Sequence, residues 1–159
     1  MINKGKTMNT NQFLTNLEKM LKEKNLETYI TDSGDPLAGN ILRTLLPVTE
    51  TGDMVMTEFM AASYTDDADL IQIYSTMIMK IGPGYEAMKE MILDWNLTCP
   101  LGAFGIYRQE RQFYHKYTFL QPKDADPEET AEEVFDQTGI ILDILREYFP
   151  DAVRLSGHA

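Results

Sequence analysis

Between Thr10 and Asn25 the apolar residues fall at Phe13, Leu14, Leu17, Met20 and Leu21. That spacing keeps them on one stripe of a 3.6-residue helix, with Thr10 as its N-cap and an end near Asn25. The next stretch, ETYITDSGDPLAGNILRTLLPV, predicts a short extended piece, a turn rich in Ser, Gly, Asp and Pro, and a strand over Ile41 to Leu46. Two long strand candidates follow, Asp53 to Tyr64 and Leu70 to Ile81, joined by the polar turn TDDAD. In the second, Ile71, Ile73, Met77, Met79 and Ile81 share one face by period two. In the first, Met54, Met56 and Met60 take one face while Val55, Phe59 and Ala61 take the other, so the strand is apolar on both sides.

Gly82-Pro83-Gly84 breaks the strand and opens a helix, with Pro83 near its N1 position. Tyr85, Met88, Met91, Ile92 and Trp95 line one side of that helix, and NLTCPLG ends it. The stretch AFGIYRQERQFYHKYTFL reads as a hairpin with its turn at Glu110-Arg111. Phe104, Ile106, Arg108, Phe113, His115, Tyr117 and Phe119 then face the core. Ala103, Gly105, Tyr107, Gln109, Gln112, Tyr114, Lys116 and Thr118 face away, with Tyr107 directly opposite Tyr114. A last helix starts with Asp126 as N-cap, Pro127 at N1 and Glu129 at N3, an aspartate version of the capping box. Val134, Thr138, Ile141, Leu145 and Phe149 form its apolar stripe, and Pro150 is expected to terminate it.

The resulting order is α-β-β-β-α-β-β-α, an α+β fold with an antiparallel sheet of about five strands and helices packed on it. Residues 1–8 read as a flexible leader and 9–159 as a single domain, since no repeat or linker interrupts the pattern. A chain of 159 residues buries enough surface to need no metal or disulfide staple, and its lone Cys99 can form no internal disulfide. The opening MINKGKTMNT carries no apolar run, and the longest apolar runs fall short of the roughly 20 residues of a membrane span. A reducing cytoplasm is the expected location, where Asn96-Leu97-Thr98 is a chance match to a glycosylation sequon.

A net charge of −11 argues against nucleic acid, because phosphate affinity comes from clustered Lys and Arg. The aromatic hairpin does not reverse this. Most of its rings point to the apolar side, and Lys116 is the only cation on the open face away from the turn. Lys19, Lys22 and Lys24 make the first helix mildly basic, whereas Asp124 to Asp136 holds seven acids and no base, the pattern of a solvated helix face.

Candidate chemistry is thin. There are two histidines: His115 on the apolar face reads as a hydrogen-bonded core residue, and His158 is next to the last residue. Cys99 lies in a Pro-flanked loop without the signature of an activated nucleophile. Asp66, Asp67 and Asp69 lack the glycine and closing glutamate of a calcium loop, and GPG at 82–84 is not a phosphate cradle. No catalytic residue, metal ligand or cofactor site is assigned. The ten methionines stand out instead. Met is flexible and polarizable, so it either fills an irregular core or forms a surface that accepts varied apolar side chains. The opposed tyrosines are either an interface or a cross-strand stabilising pair.

The stretch DWNLTCPLGAFGIY, with Trp95-Asn96 closing the middle helix before a loop with Pro100 and Gly102 and a strand from Phe104, resembles the YbjN-like proteins. So does YTFLQPKDADPEETAEEVF, a last strand running into an acidic helix start. The element order is similar to that of type III secretion chaperones of the Tir-chaperone kind. The resemblance spans nearly the whole chain as an element pattern. It implies a type III secretion chaperone-like fold and a non-enzymatic protein-binding module, chaperone-like or a regulatory adaptor, often homodimeric, and it brings no catalytic residues. A protein partner or extended client segment would meet Met54, Met56, Met60, Tyr107 and Tyr114. The alternative is a small-molecule-binding or enzymatic domain with a pocket between sheet and C-terminal helix.

Overall fold

Phe13, Leu14, Leu17 and Leu21 are fully buried in the computed structural model, which describes residues 10–34 and 39–157. They form the inner stripe of α1 (Thr10–Glu23), which packs against β1 (Thr28–Asp32). Burying each such side chain contributes about 1.5–3 kcal/mol, more than helix propensity supplies over so short a segment. The helix stops because Asn25 turns left-handed at φ 60°. The Asn25 amide then donates to the Lys22 carbonyl and the Leu26 amide to the Leu21 carbonyl, the paired bonds of a Schellman cap. The leader of residues 1–8 and His158 lie outside the described residues.

The strands are β1, β2 (Asn40–Pro47), β3 (Met54–Ser63), β4 (Ala68–Ile78), β5 (Ala103–Tyr107) and β6 (Gln112–Pro122). Between β4 and β5 lies α2 (Tyr85–Thr98), and α3 (Pro127–Ser156) ends the described chain. The strands form one antiparallel sheet in the order β1-β2-β3-β4-β6-β5, so β1 and β5 are its edges. The fold is α+β as expected, with one strand more than expected. The piece Thr28–Asp32 pairs with β2 from Thr28↔Thr44 to Asp32↔Asn40.

The described residues cluster into two compact units. The first draws on Met1–Thr44, Glu58–Ile73 and Thr118–Thr138, the second on Leu45–Thr57, Tyr74–Tyr117 and Gly139–Ala159. β2, β3, β4, β6 and α3 each give residues to both. The first unit buries the α1 stripe, Leu42, Phe59, Ile71, Ile73, Ala131 and Val134. The second is centred on aromatic rings. Trp95 of α2 meets Phe104 of β5, Phe113 of β6 and Tyr148 of α3 at centroid distances of 5.8, 5.9 and 5.4 Å. These tilted and edge contacts suit ring quadrupoles and fix the side chains beyond what area alone would do.

Three local expectations are corrected. Pro150 sits inside α3, which continues to Ser156 although proline removes one backbone donor. Tyr148, Ala152 and Ser156 prolong the buried stripe past it, and that burial outweighs the lost bond. Ser156 also holds the 82–84 segment, accepting from the Gly82 amide with its hydroxyl and from the Gly84 amide with its carbonyl. Pro83 is not at N1, because Gly84 is the residue that caps α2. A Cβ there would lie 1.6 Å from the Leu155 carbonyl oxygen, so only glycine permits this approach. Met79 is 66% exposed rather than in the core, since β4 ends at Ile78 and the chain bends away before Ile81 is buried.

The N-cap of α3 is as the sequence predicts. Asp126 Oδ1 accepts from the Glu128 and Glu129 amides at 2.8 and 3.1 Å. Val134, Thr138, Ile141 and Leu145 are buried beneath it.

Candidate functional site

The β5–β6 hairpin and the loop from α2 bring the chain's only thiol and its one described imidazole together. Cys99 Sγ lies 3.7 Å from His115 Nε2. Gly102 makes this approach possible. It adopts φ +73°, and a Cβ on it would come within 2.5 Å of the Lys116 carbonyl oxygen and 2.8 Å of the imidazole. Asn96, in the last turn of α2, ties the loop down from the other side. Its Oδ1 accepts from the Phe104 amide at 2.7 Å, and its Nδ2 donates to the Phe104 carbonyl at 3.0 Å.

The chemistry of the pair follows from its shared partner. His115 Nε2 lies 2.7 Å from the Leu101 carbonyl, so that nitrogen carries the proton and donates it there. The Cys99 thiol also donates to Leu101, at 3.3 Å. The lone pair of the imidazole is therefore on Nδ1, which is buried without a partner and on the ring position that does not face the sulfur. Burial lowers the His115 pKa from its ordinary value. Burial, helped by the Glu147 carboxylate, raises that of Cys99. A thiolate nucleophile needs the opposite arrangement, a cationic or proton-accepting neighbour. The pair is neutral and serves to pack the loop.

The aspartates of the β3–β4 turn do not converge. Asp66 and Asp67 are exposed, whereas Asp69 points inward and is almost wholly buried. Its Oδ1 faces Lys123 Nζ at 3.9 Å, and the lysine donates to Ser63 at 2.7 Å. Burial raises the Asp69 pKa despite the lysine. Among the described residues no three His, Cys, Asp or Glu side chains gather to hold a metal ion, and no helix is long and apolar enough to cross a membrane. The seven acids of Asp124 to Asp136 are all exposed, as a solvated helix face requires. Beside α1 lie shallow hollows lined by Asn16, Lys19, Met20, Glu23 and Glu128, and by Thr15, Glu18 and Lys22. They are charged and open to water, unlike the mostly apolar clefts that bury small ligands.

The five residues singled out for partner contact all lie on the sheet face turned away from the core. In β3, Val55, Thr57, Phe59 and Ala61 are buried, while Met54 is 52% exposed and Met56 and Met60 are half-buried. Met54 and Met56 belong to the second unit, with Leu45 (37% exposed) and Ile78 on the same face. Met60 belongs to the first, where its sulfur accepts from Gln72 Nε2.

Tyr107 and Tyr114 do not pair. The observed register sets Tyr107 against Gln112 and Tyr114 against Gly105. The turn occupies residues 108–111, two places short of the expected register, because Arg111 adopts φ 53° and donates its amide to the Arg108 carbonyl. That unusual backbone is anchored by its side chain. Arg111 donates to the carbonyls of Ile81 and Gly82 and stacks over Tyr85, 4.5 Å from the ring centroid. A shift of two leaves every side chain on its predicted face. Tyr114 lies over Gly105, where a Cβ would meet its hydroxyl at 2.4 Å, and stacks on Tyr74 at 4.9 Å. Sequence reasoning missed Tyr74, although its place between Ile73 and Ser75 puts it on the outer face.

The chain matches no known protein-family model. No curated protein matches it.

Proposed function

We propose that this protein is a non-enzymatic protein-binding module, chaperone-like or a regulatory adaptor, acting in the cytoplasm as a homodimer. It would contact an extended client segment or protein partner through the outer sheet face of the second unit. The observation that carries this reading is the exposure of Met54 and the half-exposure of Met56, next to Leu45 and Ile78, on a strand whose other face is fully buried. An apolar outer face on an antiparallel sheet departs from the usual polar alternation and marks a contact surface. Methionine side chains suit such a surface because they repack around varied partners. Tyr74 and Tyr114, stacked together, and Tyr107, 50% exposed, extend it with rings of the kind enriched at interfaces. The neutral Cys99–His115 pair supports a role without covalent chemistry. The likeness to YbjN-like and secretion-chaperone proteins rests on the stretches DWNLTCPLGAFGIY and YTFLQPKDADPEETAEEVF and on an antiparallel sheet with helices packed on it, though the sheet has one strand more than the order that carries the likeness.

The test is capture of partners by the tagged protein from its native cell lysate, with light scattering on the purified protein. Met56→Asp should lose a stoichiometric partner, or halve the mass of a homodimer, while keeping the parent's circular dichroism. If the variant keeps mass, stability and captured partners, the surface is wrongly assigned.

A further inference from the structure

We propose that Asn96 is an edge guard, a side chain that occupies the outer hydrogen-bonding edge of β5 and keeps that strand from pairing with the β5 of a second copy of this chain. β5 has β6 on one side and is the end of the sheet on the other. In an antiparallel pair the amide and carbonyl of one residue point the same way, and alternate residues point in opposite directions. The Phe104 amide and carbonyl are both taken by the Asn96 carboxamide, at 2.7 and 3.0 Å, so they face outward rather than toward His115, their neighbour on β6. Ile106, two residues on, shares that outward direction. A carboxamide that accepts from an N–H and donates to the C=O of one residue reproduces the contact a neighbouring peptide would make. Asn96 therefore stands where the next strand would run.

The occupant it excludes is a second β5. This strand is short and has little on its open-face edge to repel another: Ala103, Gly105 and Tyr107 carry no charge. Proteins protect such edges with charges, bulges, proline or a covering element. Here the cover is one carboxamide delivered from α2, which packs against β5. Two copies of β5 aligned antiparallel would form an isologous contact with the same residues on both sides. This contact would be separate from the methionine-bearing face.

Asn96→Ala tests the proposal, with Asn96→Asp beside it. The carboxylate still accepts from the Phe104 amide but cannot donate to the carbonyl. Both variants are compared with the parent by light scattering over a hundredfold range of concentration and by amide hydrogen exchange at Phe104 and Ile106. Asn96→Ala should exchange the Phe104 amide about tenfold faster or more when dilute. On concentration it should reach a mass at least twice the parent's, with Phe104 and Ile106 then becoming protected together. Asn96→Asp should fall between it and the parent. If Asn96→Ala keeps the parent's mass at every concentration, the guard is refuted, whatever happens to thermal stability. Association without new protection at Ile106 refutes it as well.

Discussion

Cys99 and His115 lie 3.7 Å apart and both direct their hydrogens at the same acceptor, the Leu101 carbonyl. The proximity resembles a nucleophile and its base, but the hydrogen bonding contradicts that role: the nitrogen nearest the sulfur is the one already protonated. Removing the imidazole should therefore not slow the thiol. His115→Gln is expected to leave Cys99 alkylation at pH 7.5 as fast as in the parent, or faster where the loop loosens. A drop of tenfold or more in the variant, measured with iodoacetamide, would restore the imidazole to the role of base.

The same burial predicts a pH dependence. The folded state holds His115 below its ordinary pKa, whereas the unfolded chain titrates near about 6.5. Below that pH the unfolded state binds more protons than the folded one, so stability rises with pH through this window. The contribution is complete above about pH 6.5 and is lost as the pH falls. The parent's urea midpoint should drop between pH 7.5 and 5.5, and that of His115→Gln should stay nearly flat over the same interval.

Asp69 and Lys123 obey the opposite sign. Burial raises the carboxyl pKa in the folded state, so the ionised group opposes folding as the pH rises through its folded pKa. Lys123 compensates part of that cost from 3.9 Å. Neutralising the acid should thus be harmless: Asp69→Asn is expected to match the parent at pH 7 or exceed it by up to about 1 kcal/mol. Lys123→Met leaves the carboxylate uncompensated and should cost about 1–3 kcal/mol, less than for a fully dry pair. Part of that loss should return at pH 4.5 as Asp69 takes up a proton. Urea melts at the two pH values check both the asymmetry and the recovery.

Periodicity made the sheet faces legible. Val55 and Phe59 are inside and Met54 and Met56 outside, because alternation along β3 is strict and one face is wholly buried. The Asp126 cap was equally readable, since its chemistry is local. What escaped depended on contacts distant in sequence. β1 is half-exposed and only five residues long, so it leaves little pattern. The hairpin register turned on a left-handed arginine held by the carbonyls of Ile81 and Gly82, some thirty residues earlier. Pro150 would end an isolated helix, but Ala152 and Ser156 find buried places beyond it. For the Cys99–His115 cluster, the two residue types were visible but not the Leu101 carbonyl between them, which is backbone and has no signature.

Two glycines separate backbone freedom from space. Gly84 has the Leu155 carbonyl oxygen 1.6 Å from where a Cβ would stand, and a backbone atom cannot swing aside. Gly84→Ala must part α2 from the end of α3 and break the Gly84–Ser156 bond, a loss of about 3 kcal/mol or more. Gly139 lies in an exposed stretch of α3, where a Cβ would meet nothing within 4 Å beyond its chain neighbours and the backbone of its own helix. Gly139→Ala should raise stability by about 0.5–1 kcal/mol through helix propensity. Opposite shifts of the urea midpoint at constant slope are the expected result. Two shifts of the same sign would mean that the packing of α3 differs from that described.

The Thr57 and Ser75 hydroxyls are completely buried and 2.8 Å apart, on adjacent strands in the middle of the sheet. A buried hydroxyl pair stabilises modestly when made but is costly when half removed, since the survivor loses its partner without regaining water. Thr57→Val, nearly the same shape, should therefore cost about 1–3 kcal/mol, and Ser75→Ala a similar amount. The double variant should be more stable than the sum of the single losses predicts, with a coupling of about 0.5–3 kcal/mol. Such coupling would identify the pair as a device that pins the register of β3 on β4: a slip of β3 by one residue would carry the Thr57 hydroxyl to the outer face and away from Ser75, and would bring Met54 and Met56 into the core. Additive losses would instead mean that each hydroxyl finds a separate partner, and that the register is held by the apolar pattern alone.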